Sequence, residues 1–142
     1  MLKASEVIFS SIRPIHGRCP FEELHWKLLK EACQWGWPSS WPKATWGKWK
    51  EQLDVFLQES ENLANNLVIR LELRKEQENL QFSIKTRDYE AMDRAISLGS
   101  FCAPRIQDEL PSFVKILNYE QIDEYRKLVK KEGHDEVFFV DR

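Results

Sequence analysis

All six tryptophans of this chain, Trp26, Trp35, Trp37, Trp41, Trp46 and Trp49, fall within one short span. None occurs in the 93 residues that follow position 49. Each indole carries roughly 150–250 Å² of surface, so six bring about 900–1,500 Å² into that span. A monomer in water seldom exposes a contiguous apolar patch above ~300–600 Å². Most of these rings must therefore be covered, either by the rest of the fold or by a partner. At 142 residues and 42% apolar, the chain is long enough to build a core of its own and too apolar for disorder.

The spacing of apolar residues places the tryptophans on helices and a connection. Phe21, Leu24, Leu28, Ala32 and Trp35 recur at helical intervals, with Trp26, Leu29 and Cys33 on an adjoining stripe. Pro20 suits the start of this helix and Gly36 its end. Residues 36–44 form a connection stiffened by Pro38 and Pro42. Thr45 is placed to cap a second helix carrying Trp46, Trp49, Leu53 and Phe56, running to about Asn62. At Leu67 the period changes from 3.6 to two. Leu67, Ile69, Leu71 and Leu73, then Leu80, Phe82 and Ile84, alternate with polar neighbours. This predicts a β-hairpin near 67–86, with a loop longer than two residues because no glycine is present. A helical continuation is the alternative, because Glu, Lys, Gln and Leu all favour helix.

Residues 5–12 and 136–140 are rich in β-branched or aromatic residues and read as strands, the second pairing with the hairpin or with the first. A third helix is expected from Thr86, with Tyr89, Met92 and Ile96 inward and Gly99 closing it. A fourth runs through Ile106, Leu110, Phe113, Val114 and Leu117, interrupted by Pro111. A fifth is opened by Asn118 with Gln121, carries Ile122, Tyr125 and Val129, and ends at Gly133. The expectation is a single compact α+β domain spanning 1–142, with about five helices and a small, mainly antiparallel sheet.

Charge and chemistry narrow the function. The net charge of −2 argues against a dedicated nucleic-acid binder. Residues 1–50 nonetheless hold eight basic and four acidic residues, a net of +4 that leaves −6 for the remainder. The N-terminal third is thus the part suited to an anionic neighbour. Three widely spaced cysteines, Cys19, Cys33 and Cys102, with no secretory signal or apolar span, point to a reduced, cytoplasmic, non-membrane protein. His25 and Cys33 lie eight residues apart on one helix, ~12 Å along its axis, which is too far to share a metal. No nucleophile elbow, phosphate loop, dinucleotide fingerprint or HExxH pattern is present. The expectation is a non-enzyme without metal or cofactor.

Trp26, Trp46 and Trp49 are expected in the core with Leu24, Leu28, Leu53 and Phe56. Trp35, Trp37 and Trp41, at a helix end or in the proline-stiffened connection, are candidate partner-binding anchors together with Lys43. That reading makes the chain a protein-binding adaptor, assembly subunit or inhibitor. The alternative is nucleic-acid binding through Lys43, Lys48, Lys50, Arg70 and Arg74, because the lysines interleave with aromatic residues. The order helix, connection, helix, hairpin over residues 21–86 resembles part of a winged-helix arrangement, with Arg70, Arg74 and Lys75 on the wing.

Overall fold

Period-two alternation in the middle of the chain becomes the centre of a sheet. A computed structural model of the chain describes residues 2–3, 6–59, 66–89, 94–95, 97–102 and 120–140. Strand β2 (Leu67–Glu76) lies between β1 (Val7–Ile12) and β3 (Asn79–Asp88), antiparallel to both. Ile69, Leu71 and Leu73 are fully buried on one face of β2, joined by Ile8 and Ile12 of β1. Helix α1 (Glu22–Gly36) and helix α2 (Trp46–Glu59) supply aromatic rings to this face, where Trp26 and Trp49 both meet Phe82 of β3. A short 3-10 turn, Trp41–Lys43, connects the helices.

Of the two apolar stripes on α1, the core takes Trp26, Leu29, Ala32 and Cys33. Leu24, expected in the core, is exposed. Phe21 precedes the helix in a left-handed conformation (φ 55°), so its ring leaves the helical stripe and is 80% exposed. Ala32 is the one member of the first stripe that the core takes, and Gly36 closes the helix against Leu2. The Leu2 amide donates to the Gly36 carbonyl at 3.1 Å, and a Cβ on Gly36 would stand 2.6 Å from Leu2 Cδ1.

The hairpin turn corrects the expected loop length. Glu76 pairs with Asn79, leaving only Gln77 and Glu78 between the strands. A two-residue turn requires positive φ, and Gln77 adopts it (54°) without being glycine. Strand pairing then continues through Thr86, Arg87 and Asp88, opposite Ile69, Val68 and Leu67.

The described residues from Arg94 onward belong to a second compact unit. There β4 (Leu98–Cys102) pairs in parallel with β5 (Glu136–Val140), and α3 spans Glu120–Lys131. Gly133 (φ 89°) ends the turn after α3, with the His134 amide donating to Val129 O at 3.0 Å and the Gly133 amide to Lys130 O at 3.1 Å. Arg94 grips Asp135 with both Nη groups, and the Ser97 amide donates to Asp135 Oδ2 at 2.9 Å. These partners hold the Asp135 carboxyl well below the usual carboxylate range, the Arg94 hydrogen bonds most strongly.

The expectation of about five helices and one mainly antiparallel sheet is therefore corrected. The described residues hold three α-helices, a three-stranded antiparallel sheet and a separate parallel pair. Thr86–Asp88 belong to β3, and Gly99 lies in a strand rather than closing a helix. Met92 and Ile96, expected inward on that helix, lie outside the described residues. Strand β5 pairs with β4, not with the hairpin or β1. The helix expected over 106–117 and the cap at Asn118 lie outside the described residues.

Candidate functional site

The tryptophans largely cover one another. Trp46 packs edge-on against Trp49 (4.9 Å between ring centroids) and Trp26 (6.4 Å), and Trp41 meets Trp46 at 5.8 Å. Trp49 stacks on Phe82 at 5.6 Å. The Trp26 indole donates to Glu22 Oε1 at 2.9 Å. Trp26, Trp37 and Trp49 are buried, and Trp35, Trp41 and Trp46 are half-buried. The candidate anchor Trp37 is 2% exposed and has no ring to offer a partner. Its Nε1 and the Ser40 hydroxyl are buried without a hydrogen bond.

The other face of the sheet is chemically opposite. On it lie Arg70, Glu72 and Arg74 of β2, flanked by Ser11, Phe9 and Val7 of β1 and by Lys85, Ser83 and Gln81 of β3. The register sets Arg70 directly opposite Lys85, with Arg87 two residues further along β3. Like charges opposed across an antiparallel pair are destabilising. Among the described residues no carboxylate pairs with Lys85 or Arg87. Arg70 donates from Nε to Glu72 Oε1 at 2.8 Å, and Arg74 from Nη2 to Glu72 Oε2 at 3.2 Å. The two arginine side chains are 39% and 51% exposed, whereas Glu72 is 1% exposed. Arg13 places its guanidinium 3.7 Å from the centroid of the Tyr89 ring. This face can hold an anion, because its cations outnumber its acids and two of them are forced together by backbone pairing.

The five cations grouped by sequence for nucleic acid do not form one surface. Lys43 is exposed and reaches Glu78 at 3.9 Å, and Lys50 binds Glu23 at 2.7 Å. Lys48 is exposed on α2. Arg70 and Arg74 lie on the face of the sheet away from the Trp49–Phe82 stack. Glu72, Lys85 and Arg87 were not singled out in the sequence. The alternation of Arg70, Glu72 and Arg74 was readable, but the Arg70–Lys85 pairing needs the register that a two-residue turn imposes. Among the described residues no group of three His, Cys, Asp or Glu side chains could hold a metal. Burial pushes the Cys19 and Cys33 thiols up to about 12, with Glu22 and Asp54 adding to the effect at Cys19. No described helix is long and apolar enough to cross a membrane.

No protein-family model and no curated protein matches the sequence. Solved structures do match in fold. A candidate 4-amino-4-deoxychorismate lyase from Legionella pneumophila subsp. pneumophila str. Philadelphia 1 aligns with a TM-score of 0.75 at 20% identity, over 95% of this chain and 52% of its own. A fold IV-transaminase from Curtobacterium pusillum aligns with a TM-score of 0.73 at 14% identity, over 99% of this chain and 55% of its own. A second candidate 4-amino-4-deoxychorismate lyase aligns with a TM-score of 0.67 at 17% identity, over 95% and 53%. The chain thus spans about half the length of these structures. Their names are those of enzymes, and this overturns the expectation of a non-enzymatic adaptor, assembly subunit or inhibitor, together with its nucleic-acid alternative. The chain shares its fold with about half of each of these structures.

Proposed function

We propose that this chain contributes part of an enzyme acting on a small, carboxylate-bearing amine by lyase or transaminase chemistry. The fold likeness carries the reading. The basic sheet face supports it, because Lys85, without a carboxylate partner among the described residues and opposite Arg70, suits a substrate carboxylate. A reducing, cytoplasmic setting suits the free Cys19 and Cys33.

Amino-group transfer draws on pyridoxal phosphate, which supplies an electron sink while held on a lysine ε-amine. A lysine with that task sits in a desolvated pocket. Every described lysine is exposed or half-buried, so none of them fits the task. Within this sequence that leaves Lys115, which lies outside the described residues.

The test supplies the longest natural chain with pyridoxal phosphate and offers two substrate sets. One is 4-amino-4-deoxychorismate, with elimination followed by mass spectrometry. The other is a panel of amino donors with 2-oxoglutarate as acceptor. Turnover in either set, lost in Lys115→Ala and kept in Lys50→Ala, supports the reading. Absence of turnover in both overturns it.

A further inference from the structure

Glu72 is the one buried acid among the described residues. A carboxylate in that position costs several kcal/mol unless charged donors meet it. Leu71 and Leu73, its neighbours on the opposite face, are buried without any such requirement. Each Glu72 oxygen takes one guanidinium, Oε1 from Arg70 and Oε2 from Arg74. The three residues alternate along β2, so all three project from one face. Arg70 engages Glu72 through Nε, and among the described residues neither of its Nη groups has a partner. Phe9, opposite Glu72 in the register, lies 5.8 Å from the Arg70 guanidinium. An arginine held this way has lost its rotamer freedom before any ligand arrives, and its paired Nη edge is shaped for two carboxylate oxygens.

We infer that Glu72 is a positioning residue: it grips Arg70 by the Nε edge so that the Nη edge, beside Lys85, receives a substrate carboxylate. This rests on the reading of the basic face as the substrate side. It names the substrate group as a carboxylate and the residue that organises its receptor.

The experiment titrates the full chain with 2-oxoglutarate, used as a dicarboxylate probe, and follows the arginine side-chain nitrogens by NMR. In the wild type the probe is expected to shift the Nη signals of Arg70 while its Nε–H stays slow to exchange. Glu72→Gln keeps the volume and removes the charge, and should weaken probe binding about tenfold, the value of one charge-assisted hydrogen bond. Glu72→Asp should recover part of that loss. In turnover the Glu72→Gln loss should fall mainly on KM. Glu72→Gln that folds, by circular dichroism, and binds the probe as tightly as the wild type overturns the inference while leaving the substrate-side reading in place. If Glu72→Gln does not fold, the wild-type spectrum decides: Nε–H exchanging freely, or moving with the probe as much as Nη, overturns it. No probe binding by the wild type overturns both.

Discussion

The two faces of the three-stranded sheet are built from the same strands and obey opposite rules. On one face Ile69, Leu71 and Leu73 meet the rings carried by α1 and α2, and each added group improves the fit of the next. On the other, Arg70 is set against Lys85 by the backbone ladder, and a buried carboxylate is needed to hold two guanidiniums in order. The first face stabilises the unit. The second sets two cations against each other across the ladder. Sites where a chain departs from local energetic consistency are where function is expected. The difference teaches that the tryptophans, the most conspicuous feature of the sequence, serve the scaffold, whereas the proposed substrate side lies across the sheet from them.

This contrast breaks most readily at Trp26, which is fully buried between α1, Trp46 and Phe82. Trp26→Ala should lower unfolding free energy by about 3–5 kcal/mol in urea titration. A loss below 1 kcal/mol would show that the aromatic stack is not the core of the unit.

The same face should shield Cys33. Burial raises its thiol to about 12, so its thiolate is scarce at pH 8 and grows only as pH climbs toward that value. Disulfide-exchange reagents at pH 8 should modify native Cys33 on the order of a hundredfold more slowly than the chain in urea. Equal rates would mean that this side of the sheet opens freely.

The opposite face should respond with the other sign. Lys85→Ala removes the charge facing Arg70 and should raise stability by about 0.2–1 kcal/mol. It should also weaken capture of a dicarboxylate. A destabilised variant would mean that Lys85 has a favourable partner and that the face is not frustrated.

The smallest effect is expected at the turn that sets the register of both faces. Gln77→Gly relieves a left-handed residue and should add a few tenths to about 1 kcal/mol, read as a rise in Tm. A fall in Tm would mean that the Gln77 side chain, rather than its backbone, holds the hairpin.

Much of the first unit was legible because its periods are clean. The shift at Leu67 from helical to alternating spacing marks where α2 has ended and β2 begins. What escaped the sequence escaped for local reasons. Gln77 has no propensity for positive φ, so the short turn, and with it the Arg70–Lys85 pairing, could not be foreseen. Two stripes on α1 were equally apolar, and which of them faces the sheet is set by packing that the helix sequence does not record. Thr86–Asp88, expected to open a helix, extend β3 instead, because unpaired backbone groups on β2 reward extension.

Residue order alone dictated which segments would alternate or coil and that the indoles would be largely hidden, because periodicity and apolar surface are properties of consecutive residues. Which rings shelter one another, which cations are forced together, and that the architecture matches enzymes emerged only on folding. Those outcomes depend on strand register and on contacts between residues far apart in the chain, which no short window of sequence records.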